Sequence, residues 1–485
     1  MTAVPSLTTI AITAMEDAGF VPLAPPAVQQ ATAALNPLPL PPLNGTIVDL
    51  RGLLWSSIDN VESRDLDQVE VAEALPGDAI RIRIGIADVD SLVPLGSPID
   101  EWAAHNTSSV YTGVAVFPML PERISTDLCS LHEACDRFAI VVDLTIDPTG
   151  TVTHSAIYRA VIHNHAQLVY EPIGEWLGGG PMPPEVSHVP GLAEQLQLQY
   201  QAALRLSERR LAEGALEFES IEARPVMRDG KVVELAVPHK DLARQLIENF
   251  MVAANSALAT FLEDHGLTAI QRVVRSPERW SRIVDLAARY GETLPATPDR
   301  RALARFMRQR RVADPTRFAD FCIAVARLLG AGAYLSVAPY SPAAGHFGLA
   351  VDDYTHATAP NRRYVDIVVQ RLIKAALTVT PSPYTDEALA IIAARCNERQ
   401  HAARGVERFM RKVVAASWMR ERIGDVFEAI VTGVTKKGTF VRLRNPPAEG
   451  RVVEGDLTAL DVGDEVRVRL VSADAERGWI DFAVA

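Results

Sequence analysis

The stretch Ala79-Ile80-Arg81-Ile82-Arg83-Ile84-Gly85-Ile86 sets an isoleucine at every second position. Side chains of a strand point alternately to opposite faces, so this period predicts a β-strand with one apolar face. Phe138-Ala139-Ile140-Val141-Val142-Asp143-Leu144-Thr145 reads as a second such strand. Further along, the apolar spacing changes to that of helices, predicted over Asp241 to His265, Pro277 to Tyr290, Pro298 to Arg310, Pro315 to Ala333, Asn361 to Leu377 and Thr385 to Trp418. Proline at the start of several of these fits a first helical turn, which has no use for that N–H. No Pro-, Gly- or Ser-rich linker divides the stretch, and residues 46–422 therefore read as one large mixed α/β unit.

The two ends differ from this middle. Residues 1–45 contain no Lys or Arg, and the runs Leu7 to Asp17 and Pro26 to Leu35 predict two short helices. Pro37-Leu38-Pro39-Leu40-Pro41-Pro42 follows as an extended linker. This short helical module is either a helix-turn-helix-like nucleic-acid element or packing for the main body, and its lack of basic residues weighs against the first. In residues 423–485, Val426 to Gly433, Thr439 to Arg444, Glu465 to Ser472 and Gly478 to Val484 alternate at period two between Gly-containing turns. Five short strands in this space predict a small OB-type barrel, a fold that commonly binds single-stranded nucleic acid. The fold class is α+β.

At 485 residues, 48 % hydrophobic and 22 % charged, the composition is that of a globular protein, with no apolar run long enough for a membrane span. Met1-Thr2-Ala3-Val4-Pro5 lacks the features of a secretory signal, and four cysteines form no disulfide framework. These point to a cytoplasmic, monomeric protein with reduced thiols. Cys129 and Cys135 have no matching second pair and read as small buried hydrophobes rather than a zinc site. The net charge of −12 would oppose a polyanionic partner if it were evenly spread. Instead, residues 300–422 hold 20 Lys and Arg against 10 Asp and Glu, and residues 51–125 hold 5 against 12. An acidic pole and a basic helical region suit an enzyme that holds cations in one place and draws in phosphates at another, although a solvated helix face accounts equally for any single arginine.

The acidic pole centres on Ile58-Asp59-Asn60-Val61-Glu62-Ser63-Arg64-Asp65-Leu66-Asp67-Gln68. If Asp59, Asp65 and Asp67 converge, a divalent cation is the usual way to neutralise them, and hard oxygen donors select Mg²⁺, with Mn²⁺ as a substitute. Spacing alone leaves a solvated acidic loop equally open. Downstream, Tyr354-Thr355-His356-Ala357-Thr358-Ala359-Pro360-Asn361-Arg362-Arg363-Tyr364 brings two arginines to the opening of a helix, where they run against its dipole. A phosphate would explain them, and so would an internal pair such as Arg363 with Asp366.

Several segments taken together resemble the catalytic domain of the ribonuclease II (RNB) family. They are the acidic cluster, Gly85-Ile86-Ala87-Asp88-Val89, Val110-Tyr111, and Phe117-Pro118-Met119-Leu120-Pro121-Glu122-Arg123-Ile124-Ser125-Thr126-Asp127-Leu128-Cys129-Ser130-Leu131. Gly214-Ala215-Leu216-Glu217-Phe218, the helix Leu246 to Asn255, Gly345-His346-Phe347-Gly348-Leu349-Ala350 and the Tyr354 to Tyr364 segment follow in the same order. The tail resembles an S1-type RNA-binding domain through Gly424-Asp425-Val426-Phe427, Val434 to Val441 and Gly463-Asp464-Glu465-Val466.

The resemblance implies a processive, Mg²⁺-dependent hydrolase that shortens single-stranded RNA from its 3′ end and releases 5′-nucleoside monophosphates. Asp59, Asp65 and Asp67 match its metal-site aspartates, Asp67 being the least replaceable, and Arg362 matches the arginine at the scissile phosphate. Tyr111 matches the aromatic that stacks on the terminal bases, and Glu407 a carboxylate in the RNA path. Arg363, Phe440, Lys436 and Lys437 are further candidates for RNA contact, with core packing the alternative for Phe440 and for Phe427. The sequence departs from the family where a second aspartate would follow Asp67. Gln68 stands there, offering a neutral carbonyl to the metal and implying a raised Mg²⁺ requirement or a catalytically weakened RNA-binding protein. Ile270-Gln271-Arg272-Val273-Val274 also lacks the aromatic and histidine often found in the matching segment. Cold-shock domains, usual in the family ahead of the catalytic unit, do not fit in forty-five residues.

Overall fold

The computed structural model describes residues 6–38, 47–219, 224–228, 231–236, 241–315, 317–342, 345–435, 438–455, 460 and 464–485. Six strands make the main sheet: β1 (Val48–Asp49), β2 (Trp55–Asp59), β3 (Gln68–Ala74), β4 (Ile80–Ala87), β5 (Asp136–Ile146) and β6 (Val152–Val169). Their order is β1-β6-β2-β3-β4-β5, and β6 also pairs with β5. The 18-residue β6 does this by serving both β5, antiparallel through His163, and β2, parallel from Asn164 onward, besides a short parallel pairing with β1. The sheet thereby curls back on itself.

The isoleucines of β4 are buried as their period requires. Its other face is not left to solvent: Arg81 and Arg83 both pair with Asp143 of β5, and Arg83 is only 8 % exposed. Several elements lie where the period showed nothing, among them β6 and α2 (Leu192–Glu213), whose buried stripe of Leu192, Leu196, Gln199, Ala203 and Leu206 is interrupted by glutamine. The first helix of the chain, α1 (Leu7–Asp17), precedes it, and α3 (Leu242–Asp264), α4 (Tyr364–Thr378) and α5 (Asp386–Met419) follow.

Between α3 and α4, three helices, Trp280–Arg289, Arg300–Ala313 and Phe318–Leu329, share a separate core around Phe306, Phe318 and Phe321. Pro277, Pro298 and Pro315 stand two or three residues ahead of these helices rather than in their first turns. At Arg300 the reason is local, because the Asp299 side chain caps the helix by accepting from the Ala302 N–H.

α1 does not stand apart. Ala11 and Met15, with Phe20 just beyond, pack against Val406, Met410 and Val413 of α5 and against Val110 and Phe117, so the segment serves the main body as packing. The tail forms a closed barrel of β7 (Val426–Thr435), β8 (Gly438–Leu443), β9 (Glu449–Glu454), β10 (Glu465–Asp474) and β11 (Trp479–Val484). Its core takes in Ala416 and Met419 of α5. The turn at Gly478 rests on that helix so closely that a Cβ there would come within 2.8 Å of Lys412 Cβ. The α+β expectation holds throughout, and among the described residues no helix is long and apolar enough to cross a membrane.

Candidate active site

The acidic loop joins β2 to β3 and is braced from one side. Asp59 ends β2, the Ser63 N–H donates to Asn60 O, and the chain re-enters the sheet at Gln68. Ser130 Oγ donates to Arg64 O at 2.7 Å and accepts from the Leu66 N–H at 3.0 Å, while the Leu131 N–H donates to Leu66 O. The Ala87 N–H donates to Asp67 O. Leu66 is fully buried, and it anchors the two aspartates that flank it.

The second half of the site arrives from the far end of the large α/β unit. The Asn361 N–H donates to Asp67 Oδ1 at 2.9 Å, and Arg362 Nε stands 3.6 Å from Asp67 Oδ2 with its side chain 47 % exposed. The predicted helix over Asn361 to Leu377 begins later, at Tyr364, with Arg363 at its N-cap. The preceding residues are held instead by backbone bonds, the Ser109 N–H to Arg362 O and the Tyr364 N–H to Thr107 O. Those bonds also fix the start of the hairpin Val110–Tyr111/Val116–Phe117. Tyr111 is 44 % exposed, its hydroxyl lies in the field of Asp65, Arg362 and Asp67, and its N–H donates to Glu407 Oε1 at 3.3 Å.

Arg363 does not join this group. Its guanidinium is bound bidentately by Asp366, whose Oδ1 also accepts from the Ala359 N–H, so the internal-pair reading describes it and not RNA contact. Phe427 packs on the barrel core, while Phe440 is half-buried on β8, opposite Arg451. Lys436, Lys437 and Pro39 to Pro42 lie outside the described residues. The Ile270–Val273 stretch is an interior strand, where Gln271 donates to Asp353 and Arg272 lies over the Tyr334 ring, with no side chain free to stack on a base. Part of the basic excess is also spent internally: Arg311 pairs with Glu217 and Glu219, and Arg310 lies over Tyr290.

Burial dominates the electrostatics of the acidic group. It pushes the Asp59 carboxyl up to about 7 and that of Asp67 up to about 8, with the Asp65 charge adding to both and Arg362 opposing. Asp65 is raised as well, again chiefly by burial. Asp59 Oδ2 is buried without a hydrogen-bond partner. Desolvated, mutually repelling oxygen donors fit a hard divalent cation. Among the described residues no three His, Cys, Asp or Glu side chains form a ready-made cage.

Sequence reasoning missed three participants. Ser130 lay unremarked inside a quoted motif, and its partners are 64 and 66 residues away. Asn361 acts through its backbone, while its side-chain atoms are buried and unpartnered. Tyr170, beneath Arg244 at 4.4 Å, lies in the field of Asp59 and Glu70 and carries no local signal.

Comparison with known proteins places this arrangement. The RNB domain model matches residues 47–379, and that of the RNase II-type exonuclease C-terminal S1 domain matches residues 425–485. The chain is 30 % identical over 466 residues to Ribonuclease R 1 of Lactococcus lactis, covering 90 % of this chain and 56 % of that one. It is 30 % identical over 476 residues to Ribonuclease R of Thermotoga maritima, covering 90 % and 64 %. It thus spans less than two thirds of the length of these relatives. In fold it is similar to the apo form of Mycoplasma genitalium RNase R, at TM-score 0.89 and 23 % identity over 99 % of this chain and 78 % of that one. It is also similar to yeast Ssd1, described as a pseudonuclease, at TM-score 0.72 and 19 % identity over 95 % and 57 %. The sheet, the braced acidic loop and the tail barrel are those of a chain that belongs to the RNB-domain family, with an RNase II-type S1 domain over residues 425–485.

Proposed function

We propose that this chain is a Mg²⁺-dependent, processive hydrolytic 3′-to-5′ exoribonuclease that degrades single-stranded RNA to 5′-nucleoside monophosphates and a short end fragment. One observation carries the reading: Asp67 meets Arg362 and the Asn361 N–H beside an exposed Tyr111, which gathers acid, cation and aromatic at one opening. Asp59, Asp65 and Asp67 would hold the divalent ion. When bound, that ion supplies charge neutralisation at the phosphate and a water of lowered pKa. Arg362 reaches a phosphate oxygen with its outer donors and stabilises the charge that develops there. The Tyr111 ring offers a face to the terminal base, and Phe440 offers another on the barrel.

The test is a labelled single-stranded RNA oligonucleotide beside its DNA counterpart, incubated with Mg²⁺ and then Mn²⁺. A ladder ending in mononucleotides from RNA alone supports the proposal; binding without cleavage in both metals rejects it. The second reading, an RNA-binding protein with a weakened site, has Gln68 in its favour and would give that second result.

A further inference from the structure

The entry of the acidic loop has a brace of its own. Ser130 and Leu131 hold the later part, from Arg64 to Leu66. At the start, Arg244 of α3 donates from Nη2 to Asn60 Oδ1 at 2.9 Å, and Asn60 O accepts in turn from the Ser63 N–H. Asn60 directly follows Asp59, so this bond fixes the first turn of the loop.

Arg244 is itself held from several sides. Its Nε stands 3.0 Å from Asp241 Oδ2, its Nη2 also donates to Glu171 Oε1 at 2.8 Å, and its guanidinium lies 4.4 Å from the centre of the Tyr170 ring. Asp241 caps α3, while Tyr170 and Glu171 open the helix Tyr170–Leu177. These two elements touch closely, since a Cβ on Gly174 would come within 2.8 Å of Asp241 Cβ. A planar fork that is both stacked and paired is pre-organised in a way that a flexible ammonium is not.

Glu171 and Asp241 already balance the charge of Arg244, so no phosphate is needed to explain it. What it gives Asn60 is placement. Asp59 and Asp65 repel one another, and without a cation that repulsion favours an open loop. A cationic side chain set directly on either acid would close the loop but compete with a metal ion. Acting on the neutral carboxamide of Asn60, Arg244 closes the loop and leaves its negative charge available.

We infer that Arg244 is a positioning residue, which through Asn60 holds the entry of the acidic loop so that Asp59 and Asp65 stand ready for a divalent cation. The inference rests on reading the acidic cluster as a divalent-cation site.

Hydrogen–deuterium exchange over residues 60–66 of the full-length, metal-free and RNA-free protein reads the loop directly. Electron paramagnetic resonance of free Mn²⁺ then reads the affinity of the site, with no catalytic step in either measurement. Arg244→Ala and Asn60→Ala are each expected to speed exchange of the loop about tenfold and to weaken Mn²⁺ binding about tenfold. Arg244→Ala keeps the cap of α3, because the bond from the residue 244 N–H to Asp241 Oδ1 is made by main chain. The double variant is expected to match either single one in both readouts, since all three lose the same link. Unchanged exchange in Arg244→Ala overturns the inference, and so do additive losses in the double variant, because the two residues then act separately. Faster exchange with unchanged Mn²⁺ affinity overturns it as well. Each of these results leaves the cation reading standing, whereas no Mn²⁺ binding by wild type overturns that reading and the inference with it.

Discussion

The backbone N–H of Asn361 donates to Asp67 Oδ1 at 2.9 Å, joining residues 294 positions apart. Asp67 is only 4 % exposed and has the Arg362 guanidinium 3.6 Å from its other oxygen, so consecutive residues of a single loop address both oxygens of one carboxylate. A displacement of that loop would alter both contacts at once. Because the donor is main chain, side-chain substitution at position 361 leaves the link intact.

Asp67→Asn is expected to abolish hydrolysis while single-stranded RNA binding persists. The amide keeps the shape and the Asn361 contact but removes the charge that attracts a cation. Parallel cleavage and gel-shift assays check this, and unchanged cleavage rejects the assigned role. Asn361→Leu should leave cleavage in place and raise thermal stability by about 1 kcal/mol, because it removes two buried, unpartnered amide atoms.

Gln68→Asp should lower the Mg²⁺ concentration for half-maximal cleavage, with Mn²⁺ narrowing the gap between variant and wild type. Metal titrations of both proteins measure it. Saturation of wild type at ordinary Mg²⁺ levels with no gain in the variant would remove Gln68 as a handicap.

Tyr111→Ala should change the length of the final fragment more than the rate on long RNA, if the exposed ring stacks on the strand end as proposed. Loss of one base–aromatic stack is worth about 1–3 kcal/mol. Denaturing gels of the end product show the change, and an unaltered end product assigns the stack elsewhere.

Ser130→Ala removes one hydroxyl that bridges Arg64 O and the Leu66 N–H, leaving both without that partner. A stability loss of about 1–3 kcal/mol is expected, and with it a fall in cleavage far larger than that in RNA binding, because the loop carries Asp65 and Asp67. Urea melts and single-turnover kinetics report the two effects separately.

His346 accepts from the Leu349 N–H through Nδ1, and burial, aided by Arg272, lowers its pKa to about 4. With a folded pKa below the ordinary 6.5, its contribution is present above pH 6.5 and lost as pH falls through 4. His346→Gln should therefore gain on wild type as pH drops from 6.5 to 4, by about 2 kcal/mol. Melting temperatures of the two proteins across that window test the sign.

Local period carried much of the fold. β4, α1 and α5 fall within a residue of their predicted limits, because each keeps one regular apolar period along its whole length. β6 escaped because its two halves face different partners, and α2 because Gln199 occupies its buried stripe. In the site, Asp59, Asp65 and Asp67 were legible because like charges at short spacing need an explanation. The brace from Ser130 and the clasp from Asn361 were not, since each is made across more than sixty residues and one uses only main chain. The pairing of Arg363 with Asp366 was legible as an i,i+3 alternative, and desolvation decided for it: the carboxylate is wholly buried and needs the charge.

The hairpin that carries Tyr111 has strands of only two residues each, too short to hold a shape by themselves. Its two buried side chains, Val110 and Phe117, share a core with Ala11, Met15 and Phe20 and with one side of α5. We expect the stiffness of this proposed aromatic stop to depend on the first helix: clipping the chain near residue 20 should leave every proposed acidic ligand in place and still change the length of the final fragment.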